Sequence, residues 1–213
     1  MTTQYLHESL GLTTDQTLGL SHVGRLPLAV VRDLAIRLNI DQDGCHLTSS
    51  EGWKPEATDF EHHPNEKSGL SNECAVSWHR NDLPISLEFL EPLIPGISSI
   101  DNLSAGQMIC DYVGVHRDTH MHDTYEVGAL CILLDAPKGC RVLSNGKHLT
   151  KLRRGDVFVV DDSLFHAVYP ERKTTRYNRD VFAQYEEKAI KFGRANCMKF
   201  LLITRELNQQ GKR

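Results

Sequence analysis

The second half of the chain alternates short, largely apolar runs with polar turn residues. The runs occupy residues 107–115, 126–134, 141–143, 148–150, 156–160, 166–169 and 197–204. Asn145 and Gly146 lie between two of these runs and form the pair of residues that most favours a tight hairpin turn. Short strands at regular spacing, separated by such turn signals, predict a mainly β fold of the barrel or jelly-roll type.

The first half of the chain has a different pattern. Pro27 suits the first turn of a helix, and the apolar residues that follow, up to about Asn39, keep i, i+3, i+4 spacing. Residues 41–75 are polar and predict a long loop, which is either a substrate lid or a surface loop. Three prolines between residues 83 and 100 favour short strands and turns there.

These patterns predict one domain with flanking N-terminal helices. We expect an N-terminal helical and loop region (1–105) that packs on a barrel core (106–206), followed by a short tail (207–213).

Composition and charge narrow the function classes. The chain has 213 residues, 24 basic and 28 acidic, with a net charge of −4. Since no basic cluster stands out, we expect no nucleic-acid partner. The sequence has no long apolar run and no signal-peptide pattern, so we expect a cytoplasmic protein that does not associate with membranes. Its six cysteines form no CxxC pair, which argues against a zinc ribbon and favours buried thiols.

Two histidines and one aspartate are candidate ligands of a metal ion. His116 and Asp118 are two residues apart on a predicted strand, so their side chains point to the same side. A His-x-Asp pair alone is expected by chance in this composition, so the argument depends on His166, which starts another strand after a polar turn. Two imidazoles and one carboxylate on one face of a metal are the ligand set of non-haem Fe(II) oxygenases.

Two arginines are candidate binding groups for an acidic co-substrate. Arg176 follows His166 by ten residues, and its guanidinium could hold a carboxylate in a bidentate pair. Residues 180–193 keep helical apolar spacing. If that helix is an insertion before the last strand, Arg194 is the alternative candidate.

Three pieces of the sequence, in order and at matching spacing, carry a resemblance to a known superfamily. They are His116-Arg117-Asp118, the run from Leu133 to Cys140 that contains Pro-Lys-Gly-Cys, and Asp161-Asp162-Ser163 shortly before His166. The segment from Val113 to about Asn178 resembles the double-stranded β-helix of 2-oxoglutarate/Fe(II) oxygenases. It is most similar to the aspartyl/asparaginyl β-hydroxylase and proline-hydroxylase-like group.

The resemblance implies a fold, cofactors and an activity. The implied fold is a double-stranded β-helix (jelly-roll, cupin-like) core. The implied cofactors are Fe(II), held by His116, Asp118 and His166, and 2-oxoglutarate, held by Arg176. The implied reaction is hydroxylation by O2 of an unactivated C–H bond in an amino acid or an amino-acid-derived small molecule, with release of succinate and CO2. The group often carries Arg-x-His at the positions occupied here by Ala129 and Cys131.

Two other functions remain open from the sequence. The spacing of His120, His122 and Glu126, together with His166, fits a cupin metalloenzyme that does not use 2-oxoglutarate. A non-catalytic cupin-like binding module is the other alternative. In the oxygenase interpretation, no catalytic residue is expected beyond the metal ligands.

Several further residues receive a role in the oxygenase interpretation. His120 and His122 become loop residues that contact substrate, and Trp53 and Trp78 are further candidates for substrate contact, although Trp78 is the better candidate for the core. Asp161 and Asp162 are interpreted as residues that stabilise a turn, because aspartates hydrogen-bond their own backbone in turns.

Overall fold

The computed structural model describes residues 3–15, 17–37, 61–62, 75–79, 86–110, 113–119, 122–136, 139–170 and 198–207. The strands are β1 (Leu20–Arg25), β2 (Glu61–His62), β3 (Ala75–His79), β4 (Leu103–Cys110), β5 (Val113–Arg117), β6 (Ala129–Asp135), β7 (Cys140–Ser144), β8 (His148–Leu152), β9 (Asp156–Val160), β10 (His166–Pro170) and β11 (Met198–Arg205). The helices are α1 (Leu6–Ser9) and α2 (Leu28–Arg37), with short 3-10 helices at Leu87–Leu90 and Ile97–Ser99.

The strands form two antiparallel sheets. The six-stranded sheet has the order β1-β9-β6-β11-β4-β3, and the five-stranded sheet has the order β2-β5-β10-β7-β8. The eight strands β4 to β11 fill the two sheets four and four. The chain changes sheet at every connection between them except the β7–β8 hairpin. This is the strand order of a double-stranded β-helix, and the predicted jelly-roll fold is confirmed.

Among the described residues, the two larger apolar layers lie on either side of the six-stranded sheet, and a smaller cluster of Leu143, Ala167 and Tyr169 lies on β7 and β10. The layer between the two sheets includes Phe158, Phe200 and Val142. The outer layer joins Leu201 and other outward residues of the same sheet to the helices. Strand β11 alternates between the two layers and is almost entirely buried, as expected for a strand covered on both faces. Each buried leucine or phenylalanine contributes about 1.5–3 kcal/mol to folding.

The helical cover and the central hairpin agree with the sequence patterns. Helix α2 spans Leu28–Arg37, close to the predicted segment, and buries Val31 and Leu34 against the barrel. Asn145 and Gly146 both have positive φ, and the Lys147 amide donates to the Ser144 carbonyl, so the predicted Asn-Gly hairpin joins β7 to β8. Within the described part of the chain, no helix has the length and hydropathy needed to cross a membrane.

Three details of the structure differ from the sequence predictions. Residues 107–115 do not form one strand, because β4 ends at Cys110 and β5 begins at Val113 in the other sheet. Residues 86–100 were expected to form short strands and turns, and they contain 3-10 turns but no strand. The Glu91 carboxylate accepts hydrogen bonds from two backbone amides of these turns. Residues 20–25 form strand β1, which the polar sequence did not predict and which pairs with β9.

Candidate metal centre

Strand pairing brings His116 and His166 together, although they are far apart in sequence. His116 lies on β5 and His166 begins β10, and the two residues are register partners in the five-stranded sheet. Their ring centroids are 4.3 Å apart with an interplanar angle of 52°. Asp118 follows β5 on the same side as His116. Among the described residues, these three are the one group of histidine, cysteine or acidic side chains whose possible ligand atoms all lie within 4.8 Å of one another.

The carboxylate of Asp118 faces both imidazoles. Its Oδ1 lies 3.5 Å from His116 Nε2, and its Oδ2 lies 3.6 Å from His166 Nε2. Two ligand atoms that each bind one ion at about 2.1 Å are separated by about 3–3.5 Å. The three side chains are 6–17% exposed, so the space between them is largely shielded from solvent. The geometry and the donor set therefore fit one divalent transition-metal ion.

The ring of His166 is held in the tautomer that a metal ligand needs. Its Nδ1 lies 3.0 Å from the Leu164 carbonyl oxygen, and a carbonyl only accepts, so Nδ1 carries the proton. In the neutral ring this leaves the Nε2 lone pair facing Asp118. Metal-binding histidines commonly use their second nitrogen in this way.

Asp161 and Asp162 have different roles, and one of them departs from the sequence interpretation. Asp161 Oδ1 accepts hydrogen bonds from the amide and hydroxyl of Ser163, as a turn residue does. Asp162 Oδ1 instead accepts from His122 Nε2 at 2.9 Å and from the Gly128 amide at 2.7 Å. The hydrogen bond between His122 and Asp162 is the main cause that raises the pKa of His122, while burial acts in the opposite direction. Sequence reasoning missed this pair because its members belong to separate loops.

Glu126, the predicted carboxylate of the cupin alternative, lies in another cluster. Its Oε1 is 2.8 Å from Arg205 Nη1 and accepts a hydrogen bond from the Ser9 hydroxyl. The structure does not bring Glu126 and His122 together with His166, so the ligand set of that alternative is not assembled among the described residues. The sequence spacing was misleading because β6 begins at Ala129, after Glu126 has turned towards β11.

Of the remaining predicted site residues, the structure describes the backbone position of one. Trp78 belongs to β3, in the six-stranded sheet. Arg176, Arg194, His120 and Trp53 lie outside the described residues, as do the predicted helix at 180–193 and most of the loop at 41–75.

The barrel interior below the centre is apolar. Ala129 and Cys131 lie on β6. Cys131 and Cys140 belong to the layer between the sheets, and Ala129 packs against it. Both cysteines are free thiols. Burial, with a smaller effect of the Asp162 charge, raises the pKa of Cys131, so this thiol stays protonated and neutral at neutral pH. The chain therefore offers a neutral group where the resembling oxygenases often carry an arginine or a histidine.

Comparisons with known proteins give fold similarities. No protein family model and no curated protein matches the sequence. A prolyl-4-hydroxylase from Pseudomonas putida is 13% identical with a TM-score of 0.46, over 90% of this chain and 95% of that chain. A Trichoplax adhaerens prolyl hydroxylase, solved with a peptide fragment of hypoxia inducible factor, is 11% identical with a TM-score of 0.48, over 90% and 84%. A cupin 2 conserved barrel domain protein from Rhodopseudomonas palustris is 10% identical with a TM-score of 0.34, over 72% and 68%. At these identities the likeness concerns the fold alone.

Proposed function

We propose that this protein is an Fe(II)- and 2-oxoglutarate-dependent dioxygenase that hydroxylates an amino acid or an amino-acid-derived small molecule. The observation that carries the proposal is the convergence of His116, Asp118 and His166 at the mouth of a jelly-roll barrel. Bound Fe(II), with 2-oxoglutarate and O2, would supply the oxidation of an unactivated C–H bond to C–OH, with succinate and CO2 as co-products. The protein would provide the geometry in which that chemistry is confined to one C–H bond.

Each side chain has a defined task in this proposal. Three ligands on one side of the ion leave the other positions for the co-substrate and for O2. The hydrogen bond from His166 Nδ1 to the Leu164 carbonyl would keep the His166 ring aimed at a bound ion. The low exposure of the three side chains would limit water at that ion and strengthen the charge interactions there.

A cation is needed for the distal carboxylate of 2-oxoglutarate, and we retain two candidates. Arg176 is proposed on the spacing from His166. Arg194 is the alternative if residues 180–193 form a helix inserted before the last strand of the barrel. For the substrate, His120, Trp53 and Trp78 remain proposed contacts.

A cupin-type metalloenzyme that does not use 2-oxoglutarate is the second candidate function. The observation in its favour is the apolar layer around Ala129 and Cys131, in which the residues that the structure describes include no cation that could bind an acid. The pairing of Glu126 with Arg205 counts against its ligand set. The oxygenase is therefore the better supported of the two.

An anaerobic titration with Fe(II) and then 2-oxoglutarate tests the proposal. We expect a weak visible metal-to-ligand charge-transfer band in the wild-type protein and none in His166→Ala, because that variant lacks one of the three ligands. Admission of O2 with the correct substrate should give succinate. Metal binding without the band and without succinate would favour the second candidate, and no metal binding would favour a non-catalytic module.

The same titration decides between the two arginines. We expect Arg176→Ala to raise the 2-oxoglutarate concentration needed for the band while leaving Fe(II) binding unchanged. Arg172→Ala, which removes the same charge nearby in the sequence, is the control. If Arg194→Ala has the effect and Arg176→Ala does not, the assignment to Arg176 is wrong.

A further inference from the structure

We propose that Asp162, together with His122, is a positioning residue that holds the Asp118 carboxylate at the metal centre. The inference deepens the proposed function and rests on it, because it assumes that Asp118 binds a metal ion. It assigns a role to His122 other than the substrate contact or the metal ligand that the sequence suggested.

The position of Asp162 in the fold is the first step of the argument. It lies in the connection between β9 and β10, where the chain crosses from the six-stranded to the five-stranded sheet. Its side chain is 14% exposed, so its carboxylate requires partners within the protein. From this location Asp162 can contact residues of both sheets at the same end of the barrel.

The hydrogen bonds of Asp162 join three segments around the centre. The side chain accepts from His122, in the loop after Asp118, and from the amide of Gly128, at the start of β6. Its backbone carbonyl accepts from the Asp118 amide at 2.9 Å. Asp118 lies just beyond the end of β5, where the strand ladder no longer holds the backbone. The carbonyl of Asp162 takes over that task and fixes the direction in which the Asp118 side chain leaves the chain.

Gly128 allows this arrangement sterically. Its φ is +101°, and a Cβ there would lie 2.9 Å from the Val160 carbonyl oxygen. The close approach places its amide within hydrogen-bonding distance of Asp162. The glycine is thus needed for the Asp162 contact.

Asp161 provides a matched control on the adjacent position. It has the same side chain and lies in the same turn, but its carboxylate hydrogen-bonds only Ser163 among the contacts the structure gives it. Asp161→Ala should therefore weaken the turn without changing the geometry of the metal site. Changes to Asp162 or His122 should change that geometry.

Cobalt(II) is a suitable probe, because its visible d–d bands report both binding and ligand geometry without any turnover. We expect Asp162→Ala and His122→Ala to weaken Co(II) binding about 10- to 100-fold, the usual effect of losing a partner that orients a metal ligand, and to alter the d–d spectrum. Asp162→Asn keeps an acceptor oxygen for the Gly128 amide and His122→Gln keeps a donor for Asp162, so both should recover most of the affinity and the wild-type spectrum. Asp161→Ala should leave affinity and spectrum unchanged.

The outcomes separate this inference from the proposed function. If wild-type protein binds Co(II) and His166→Ala does not, but both alanine variants keep wild-type affinity and spectrum, the positioning role is wrong and the metal centre stands. If Asp161→Ala has the same effect as Asp162→Ala, the effect is general turn disruption and the inference also fails. If wild-type protein does not bind Co(II), both the inference and the proposed function are wrong. Should Asp162→Ala not fold, the comparison of His122→Ala with His122→Gln decides in its place.

Discussion

At the scale of single residues, the buried carboxylate of Asp156 is held by several donors. Asp156, at the start of β9, accepts from Arg25 Nε at 2.6 Å and from the Arg153 amide at 2.7 Å, and His22 Nε2 lies 3.2 Å from its Oδ1. Burial is the largest single influence and would raise the pKa of Asp156. The hydrogen bonds from Arg25, Arg153 and His22 together outweigh it, so the pKa of Asp156 lies below its ordinary value of 3.8.

This lowered pKa predicts a dependence of stability on pH. The ionised form of Asp156 is favoured by folding, so its contribution is complete above the unfolded pKa of 3.8 and is lost as the pH falls through the lower folded pKa. We expect Asp156→Asn to reduce the free energy of unfolding by about 1–3 kcal/mol at neutral pH. The difference from wild type should shrink below about pH 4.

Urea unfolding of both proteins between about pH 3 and pH 7 measures this difference. Asp33→Asn is the control, because Asp33 is exposed and the partner that the described residues give it is Arg37, one helical turn away. A difference that stays constant down to the lowest pH would contradict the assignment.

The sequence predicted His116, Asp118 and His166 as one group, whereas the contacts that surround them in the structure were not predicted. His116 and Asp118 are close in sequence, and the two-residue period of a strand puts them on one side, so spacing alone gives their relation. His122 and Asp162 are 40 residues apart in different loops. No local pattern links such a pair, because only the closure of the two sheets brings it together.

At the scale of elements, prediction succeeded where the signal is local. The Asn145-Gly146 turn fixes the β7–β8 hairpin, and apolar spacing fixes α2. The change of sheet between β4 and β5 was missed, because both segments have strand-like sequence and no turn signal such as glycine or proline lies at residues 111–112. At 86–100 the expected turns are present as 3-10 turns but the expected short strands are not, because prolines exclude a long helix without selecting what replaces it.

Gly155 gives a prediction at this scale, since it lets the β8–β9 turn contact the residues before α2. Its φ is +87°, and a Cβ there would lie 2.8 Å from the Leu26 carbonyl oxygen and 3.3 Å from Val31 Cγ2. We expect Gly155→Ala to lower the free energy of unfolding by at least about 1–3 kcal/mol, because backbone strain and a clash with backbone act together.

The control for this change is Gly11→Ala. Gly11 also has a positive φ, +65°, but a Cβ there meets nothing within 4 Å. It should therefore show the cost of the backbone conformation alone, measured by urea unfolding of both variants. If both variants lose the same free energy of unfolding, the contact with the Leu26 carbonyl oxygen does not contribute to the effect of Gly155→Ala.

At the scale of the whole molecule, one polar cluster joins the N-terminal segment to the end of the barrel. Arg205, the last residue of β11, pairs with Glu126 and also donates to the Ser9 hydroxyl at the end of α1. The Leu6 amide donates to the Val127 carbonyl, and the buried Leu6 side chain completes the contact. The segment before β1 is thereby part of the barrel's packing.

Glu126→Gln tests the separation between this cluster and the metal centre. We expect the free energy of unfolding to fall by about 1–3 kcal/mol, because the Arg205 guanidinium loses its charged partner. Co(II) affinity should be unchanged, because Glu126 is not a ligand in the proposed centre. Leu6→Ala, which should cost about 2–5 kcal/mol through the core alone, shows whether lost stability by itself affects metal binding. Loss of Co(II) binding in Glu126→Gln but not in Leu6→Ala would favour the cupin ligand set.

The most direct test of the central claim is anomalous diffraction from crystals grown with Mn(II) or Co(II). The account predicts one anomalous peak, bonded to Nε2 of His116, Nε2 of His166 and a carboxylate oxygen of Asp118, at about 2.0–2.2 Å from each. A peak held instead by His120, His122, Glu126 and His166, or no peak between the three predicted side chains, would contradict it.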